Sequence, residues 1–422
     1  MKNKSESTVE TKSYRTLGSF ERFIWLADHH RPLHFSLVAE LNGTAPVTQW
    51  INALNALKQQ HPLFNVNIHL NENNSPVFTQ ASGNAPIPFR VVQHTENNSW
   101  ETELQQELAT RFNATQGPLI RVVLYEYADR SVIILSAHHT IADADSLSYV
   151  VRDLLNTMDG IFAMPCTMPL AMDDYAGLSM DDLYKLPVNE LDIVVIEENS
   201  MDERALPQVQ TLQLSQELSS HVIQRAQQEC TTVHGALSAA LVLASKNWKP
   251  QPLRIFSSAS TRETLGASYS ASLNITNRMV TFDLEQHSAF WDIARYSNEC
   301  LADIASIEYI TGSTHQLSGL ISSGIDINGL VKFADTALAN EYTLPSLGAL
   351  NYGIDFGNLQ LEALWGPFTL TGYEGSQTVG VVTINGNIHL ALTTPARTEV
   401  KPVLEAVEQI LTAECAPINN LA

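Results

Sequence analysis

Basic residues are scarce in this chain: 24 Lys and Arg stand against 45 Asp and Glu over 422 residues, a formal net charge of −21. Such a surface repels phosphate backbones and anionic lipid, which argues against nucleic acid and acidic membrane as general partners. Cysteine is scarcer still. Cys166, Cys230, Cys300 and Cys415 lie far apart and form no CxxC pair. They fit reduced, buried thiols of a cytoplasmic protein rather than a disulfide framework. No apolar run reaches the roughly 20 residues that span a bilayer, and residues 1–12 are polar with no apolar h-region, so neither a transmembrane helix nor a secretory signal is expected. There is no GxSxG elbow, no repeat of fixed period and no low-complexity tract.

Apolar residues make up 44% of the chain, enough at this length for one large core or two medium ones, and two is the expectation. Apolar spacing predicts helices over 47–60, 99–111 (opened by Ser99 as cap), 145–157, 215–229, 233–246, 288–305 and 399–414. Strands are expected at 64–70, 77–80, 119–127, 131–137, 209–214, 252–260 and 276–284, with a hairpin of 379–384 and 388–393 turned at Asn385-Gly386. Between about 160 and 208 four prolines and an excess of acidic side chains, among them Asp173, Asp181, Glu190, Asp192, Glu197 and Asp202, break the pattern. That stretch reads as a linker whose charge is a solvated face. The boundaries drawn are 13–165 for a first lobe, 166–208 for the acidic crossover and 209–422 for a second lobe.

The chemistry concentrates in HHTIADADS, residues 138–146. It follows a continuous β-branched run, 132–135, suited to a strand buried on both faces, and precedes Leu147, Val150, Val151, Leu154 and Leu155 at helical spacing. A histidine at such a junction can accept a proton near neutral pH, and Asp143 or Asp145 can cap the helix. Two satisfied core histidines would be the plainer reading. A metal site is not expected, because adjacent histidines on a strand point to opposite faces and no third ligand stands at supporting spacing. His234, on an Ala/Leu-rich helix, reads as structural.

HHTIADA resembles the HHxxxDG signature of the acyltransferase superfamily that includes condensation domains of nonribosomal peptide synthetases, polyketide-associated acyltransferases and chloramphenicol acetyltransferase. Other segments fall in the expected order: LGSFERFIWLA (17–27) and HFSLVAELNG (34–43) resemble the opening, QHPLF (60–64) the HPLL element, RFNATQGPLIRVVL (111–124) the approach to the histidines. NITNR (274–278) is similar to the end of GTPVANR, and LNYG (350–353) stands in the place of SNLG. Two departures are Ala144 for the glycine of HHxxxDG and Leu350 for the serine of SNLG. Alanine implies an ordinary backbone angle there or a slightly narrower channel.

The resemblance implies an α/β fold of two chloramphenicol acetyltransferase-like lobes forming a V, with a central substrate channel. It also implies an acyltransferase that joins an acyl group, from a carrier-protein or coenzyme A thioester, to an alcohol or amine. His139 would be the general base, His138 a loop-orienting residue, and Asp143 a structural carboxylate paired with Arg278, or second with Arg262. Ser146 would help place the donor arm, and Asn351 and Gly353 would contact the carbonyl. No cofactor is held permanently; coenzyme A or phosphopantetheine comes with the donor. The expected protein is a monomeric, free-standing cytoplasmic enzyme in natural-product or lipid biosynthesis, forming no covalent acyl-enzyme, with an acyl- or peptidyl-carrier protein as a partner. An anionic donor would dock on a local basic patch, for which Arg15, Arg22 and Arg31 are the candidates. Two readings compete: a catalytically silent condensation-like recruitment domain, and epimerase-type chemistry on a carrier-bound substrate.

Overall fold

The β-branched run before the paired histidines forms the strand Arg130–His138, buried along all but its first residue. The computed structural model describes residues 13–81, 85–185, 187–188, 206–267, 269–370, 375–396, 398–399 and 401–416. Glu190, Asp192, Glu197 and Asp202 of the acidic stretch lie outside the described residues.

Arg130–His138 sits near the middle of a six-stranded sheet, in the order Asp355–Phe356, Leu359–Thr369, His34–Asn42, Arg130–His138, Ile120–Glu126, Phe89–Gln93. Its register with His34–Asn42 sets His34 opposite His138 and Ser36 opposite Ser136, whose hydroxyls meet at 2.7 Å. The other large sheet runs Ile275–Phe282, Leu253–Ser260, Tyr342–Leu344, Gln377–Ile384, Asn387–Thr394, Gln208–Gln213, with Ser346–Ala349 also paired to Gln377–Ile384. A small sheet joins Ser13–Thr16, Pro76–Gln80 and Val66–Leu70.

The predicted helix over 47–60 is Val47–Gln60, and that over 99–111 is Trp100–Ala109, with the Ser99 hydroxyl accepting from the Thr102 amide. The Asn-Gly hairpin has φ of +50° at Asn385 and +78° at Gly386, the left-handed pair that a type I′ turn needs. The last helix starts at Val403 rather than 399, because Pro402 supplies no amide and serves as its N-cap.

One boundary requires correction. Leu359–Thr369 falls within the stretch assigned to a second lobe, yet it pairs antiparallel with His34–Asn42 and belongs to the first sheet. Its pattern of burial, alternating at the start and continuous from Ala363 to Phe368, explains why: it has apolar surface to give to both faces. Accordingly Leu361 and Leu364 share a core with Leu37 and Leu135, whereas Leu237, Ile255, Val381 and Leu404 form a core made by the second half alone. The two large sheets touch where Gly380 meets Gly366: a Cβ on Gly380 would stand 2.4 Å from the Gly366 carbonyl carbon. The cysteines correct a second expectation, for only Cys415 is buried and Cys230 is exposed.

Candidate active site

The chain leaves the sheet through His138 and turns at once. The His138 amide donates to the Leu119 carbonyl (2.9 Å), the His139 amide to the Leu33 carbonyl (3.0 Å), and the Ile141 amide back to the His138 carbonyl (3.1 Å). Successive side chains therefore face apart. The His139 ring packs against Phe35 and reaches the cavity described below. Its Nδ1 lies 2.9 Å from the Ala142 carbonyl, which can only accept, so Nδ1 carries the proton and Nε2 presents a lone pair. Burial lowers its pKa below the ordinary histidine value, while the Ala142 carbonyl and Asp143 pull the other way.

His138 faces inward and is fully buried. Its Nδ1 accepts from the Thr140 amide at 3.2 Å, and its Nε2 stands 3.5 Å from Asp28 Oδ2. Asp28 also accepts from the Leu33 amide at 2.7 Å. Burial alone would raise the Asp28 carboxyl, but His138, the Leu33 amide and His34 hold it down at about 2. The set fixes the turn that aims His139 and leaves no part of His138 facing the cavity.

Asp143 caps the helix Ala144–Met158: Oδ1 accepts from the Ser146 amide at 2.8 Å, and the Ser146 hydroxyl accepts from the Asp143 amide. Its Oδ2 receives Arg262 Nη1 at 2.7 Å and the Asn274 amide at 2.7 Å. The partner is thus Arg262, and the expectation of Arg278 is corrected. Arg278 lies four residues along the strand from Asn274, about 13 Å at strand rise. There it binds the Cys300 carbonyl and Asp303, and stacks on Tyr309. Arg262, 4% exposed, also donates to the Ser272 carbonyl at 2.9 Å. Ser146 is fully buried, its hydroxyl directed to Asp143 and the Ser272 carbonyl, so it is occupied as a cap and does not face the cavity.

A cavity of about 350 Å³ opens beside His139. Its wall is mostly apolar, with Phe23, Phe35, Phe256, Leu317 and Val331 drawn from both halves of the chain, and it includes Ala144 and Asp145 from the first turn of the helix Ala144–Met158. Ala144 has an ordinary backbone angle, so the helix tolerates the missing glycine. Asn351 and Gly353 are exposed and do not line the cavity, contrary to expectation. The chain leaves the sheet after Ala349 toward the hairpin at 355, which carries them outward, and Pro345, Ser346 and Leu347 line the wall instead. His234 bonds the Ser257 hydroxyl at 2.9 Å and stays off the cavity wall.

The three arginines expected to form a docking patch are engaged elsewhere. Arg15 pairs with Glu21 at 2.6 Å, Arg22 is 2% exposed and donates to the Ser75 hydroxyl, and Arg31 pairs with Asp335. The inward face of the helix Ser19–Asp28, which sequence spacing alone did not define, takes Arg22 into the interior.

Sequence reasoning missed Asp28 and Asp145 as site groups and ranked Arg262 second. Asp145 stands in the quoted motif and Asp28 directly after the quoted segment 17–27, but only the fold shows which way each points.

A family model, Condensation domain, matches residues 24–161. Among curated proteins, the chain is similar to Nonribosomal peptide synthetase 8 of Aspergillus fumigatus (21% identical over 140 residues, 33% of this chain). It is also similar to Tyrocidine synthase 3 of Brevibacillus parabrevis (27% over 124 residues, 29% of this chain). The matched stretch spans 2% of either relative's length. Solved structures match along nearly the whole chain. Polyketide synthase associated protein 5 from Mycobacterium tuberculosis has a TM-score of 0.64 at 16% identity, covering 96% of this chain and 99% of its own. The epimerization domain from the third module of tyrocidine synthetase B has 0.66 at 14%, covering 98% and 97%. The first condensation domain of the CDA synthetase has 0.64 at 14%, covering 96% and 95%. The fold is the mixed α/β, chloramphenicol acetyltransferase-like fold of condensation domains. The family match covers the histidine-bearing third of the chain, and the likeness of fold extends along nearly all of it. Among the described residues no helix is long and apolar enough to cross a membrane.

Proposed function

We propose that the protein is an acyltransferase that moves an acyl group from a carrier-protein or coenzyme A thioester to an alcohol or amine, with His139 as general base. The observation that carries this reading is the His139 ring itself: Nδ1 is held protonated by the Ala142 carbonyl, and the ring opens on an apolar cavity. Nε2 takes the proton of the acceptor hydroxyl or neutral amine as its oxygen or nitrogen forms a bond to the thioester carbonyl carbon. The C–S bond then breaks, and the imidazolium returns the proton to the thiolate. His138 and Asp28 hold the turn, and Asp143 with Arg262 ties it to the second half. The two sheets are the halves of a V-shaped pair of lobes with the cavity as part of the channel between them, and 166–208 is the crossover. The retained histidine favours catalysis over silent recruitment.

The test is an intact-mass assay of acyl-carrier and acyl-coenzyme A donors against a panel of amines and alcohols. His139→Ala should lose at least about 10²-fold in turnover with its circular dichroism spectrum unchanged. Activity within about tenfold of the parent would remove the general-base role. Solvent-deuterium incorporation at the substrate α-carbon without transfer would instead mark epimerase-type chemistry.

A further inference from the structure

The cavity wall carries two charged side chains with different neighbourhoods. Arg31 is answered by Asp335. Asp145 makes no direct ion pair among the described residues. Arg262 favours its charge through space but is itself ion-paired to Asp143 and hydrogen-bonded to Ser272, and the Ser260 hydroxyl stands against the Asp145 carboxylate. Asp143 holds the cap hydrogen bonds and the ion pair at the helix N-terminus, and Asp145, two residues later in the first turn, lines the cavity. A carboxylate on a mostly apolar wall, without an ion pair among the described residues, is a costly placement unless something cationic joins it.

Resting on the acyl-transfer reading of this cavity, we propose that the substrate taken here has an apolar body and a protonated amine, and that its ammonium sits on the Asp145 carboxylate. The aromatic and aliphatic wall takes the body, and the acidic surface of the whole molecule enriches cations at the cavity mouth. The groups facing Asp145 are Asp143, Tyr149, Ser260 and Arg262. Burial first, and Asp143 second, raise the Asp145 carboxyl to about 6. A bound ammonium would lower it again and drive off a proton.

The probes are 2-phenylethylamine and its neutral counterpart 2-phenylethanol, titrated calorimetrically into the full chain. The amine should bind at least about tenfold more tightly at neutral pH. Asp145→Asn should remove that preference while leaving the alcohol's affinity unchanged, which also reports an intact cavity. Near pH 6, repeating the titration in buffers of different ionisation enthalpy should show proton release for the parent and none for the variant. Equal binding of the two probes, binding of neither, or a preference that survives Asp145→Asn overturns the proposal. Transfer to alcohols that depends on His139, without an amine preference, would sink this inference and spare the acyl-transfer reading. An Asp145-dependent preference with no transfer to any acceptor would do the reverse.

Discussion

A histidine becomes a base by what its other nitrogen does. With Nδ1 committed to the Ala142 carbonyl and burial lowering its pKa, His139 is biased toward its neutral form. Its protonation falls below the ordinary histidine range, so kcat/KM should rise with pH through that lowered pKa and be flat by neutral pH; an acid limb centred above it would point to a different group. The buried pair behind it gives a second expectation. Arg262→Ala leaves the fully buried Asp143 carboxylate without its cation and should cost about 3–5 kcal/mol in denaturant unfolding. Arg278→Ala, whose partner Asp303 is largely in water, should cost under about 1 kcal/mol. The motif made the histidines and Asp143 legible in the sequence. Their partners were not, since an arginine 119 residues away is chosen by where two strands and a loop converge.

Elements with a sharp period or a defined cap were readable: Val47–Gln60 by its apolar face, Trp100–Ala109 by Ser99, the hairpin by Asn385-Gly386. Others were not. Helix Ile307–Ser322 carries glycines and serines that blur its pattern, and it and Ile327–Ala337 bury Ile310, Ile321, Leu330 and Ala334 while giving Leu317 and Val331 to the cavity wall. Strand Leu359–Thr369 holds a Gly-Pro pair that reads as a break, and its place beside His34–Asn42 depends on a pairing more than 300 residues apart. Two glycines separate packing from propensity. Gly380→Ala drives a methyl into the Gly366 backbone and should cost about 1–3 kcal/mol, seen as a lowered melting temperature. Gly319→Ala, within the helix Ile307–Ser322 and facing open space, should stabilise by up to about 1 kcal/mol.

At the scale of the molecule, the sheet that presents the histidines is completed by chain from beyond residue 350. Unfolding should therefore be one transition, with far-UV circular dichroism and tryptophan fluorescence giving the same midpoint; two separated midpoints would show halves that fold independently. The borrowed strand also governs how the sequence can be recombined. A chimera joined at the acidic crossover would put one parent's Leu359–Thr369 against the other parent's His34–Asn42, asking strangers to match register, pleat and side-chain volume along one seam. Productive grafts between relatives must move that strand together with the amino-terminal portion, as a two-crossover exchange. The unit of inheritance for this histidine is thus discontinuous in the gene although continuous in space.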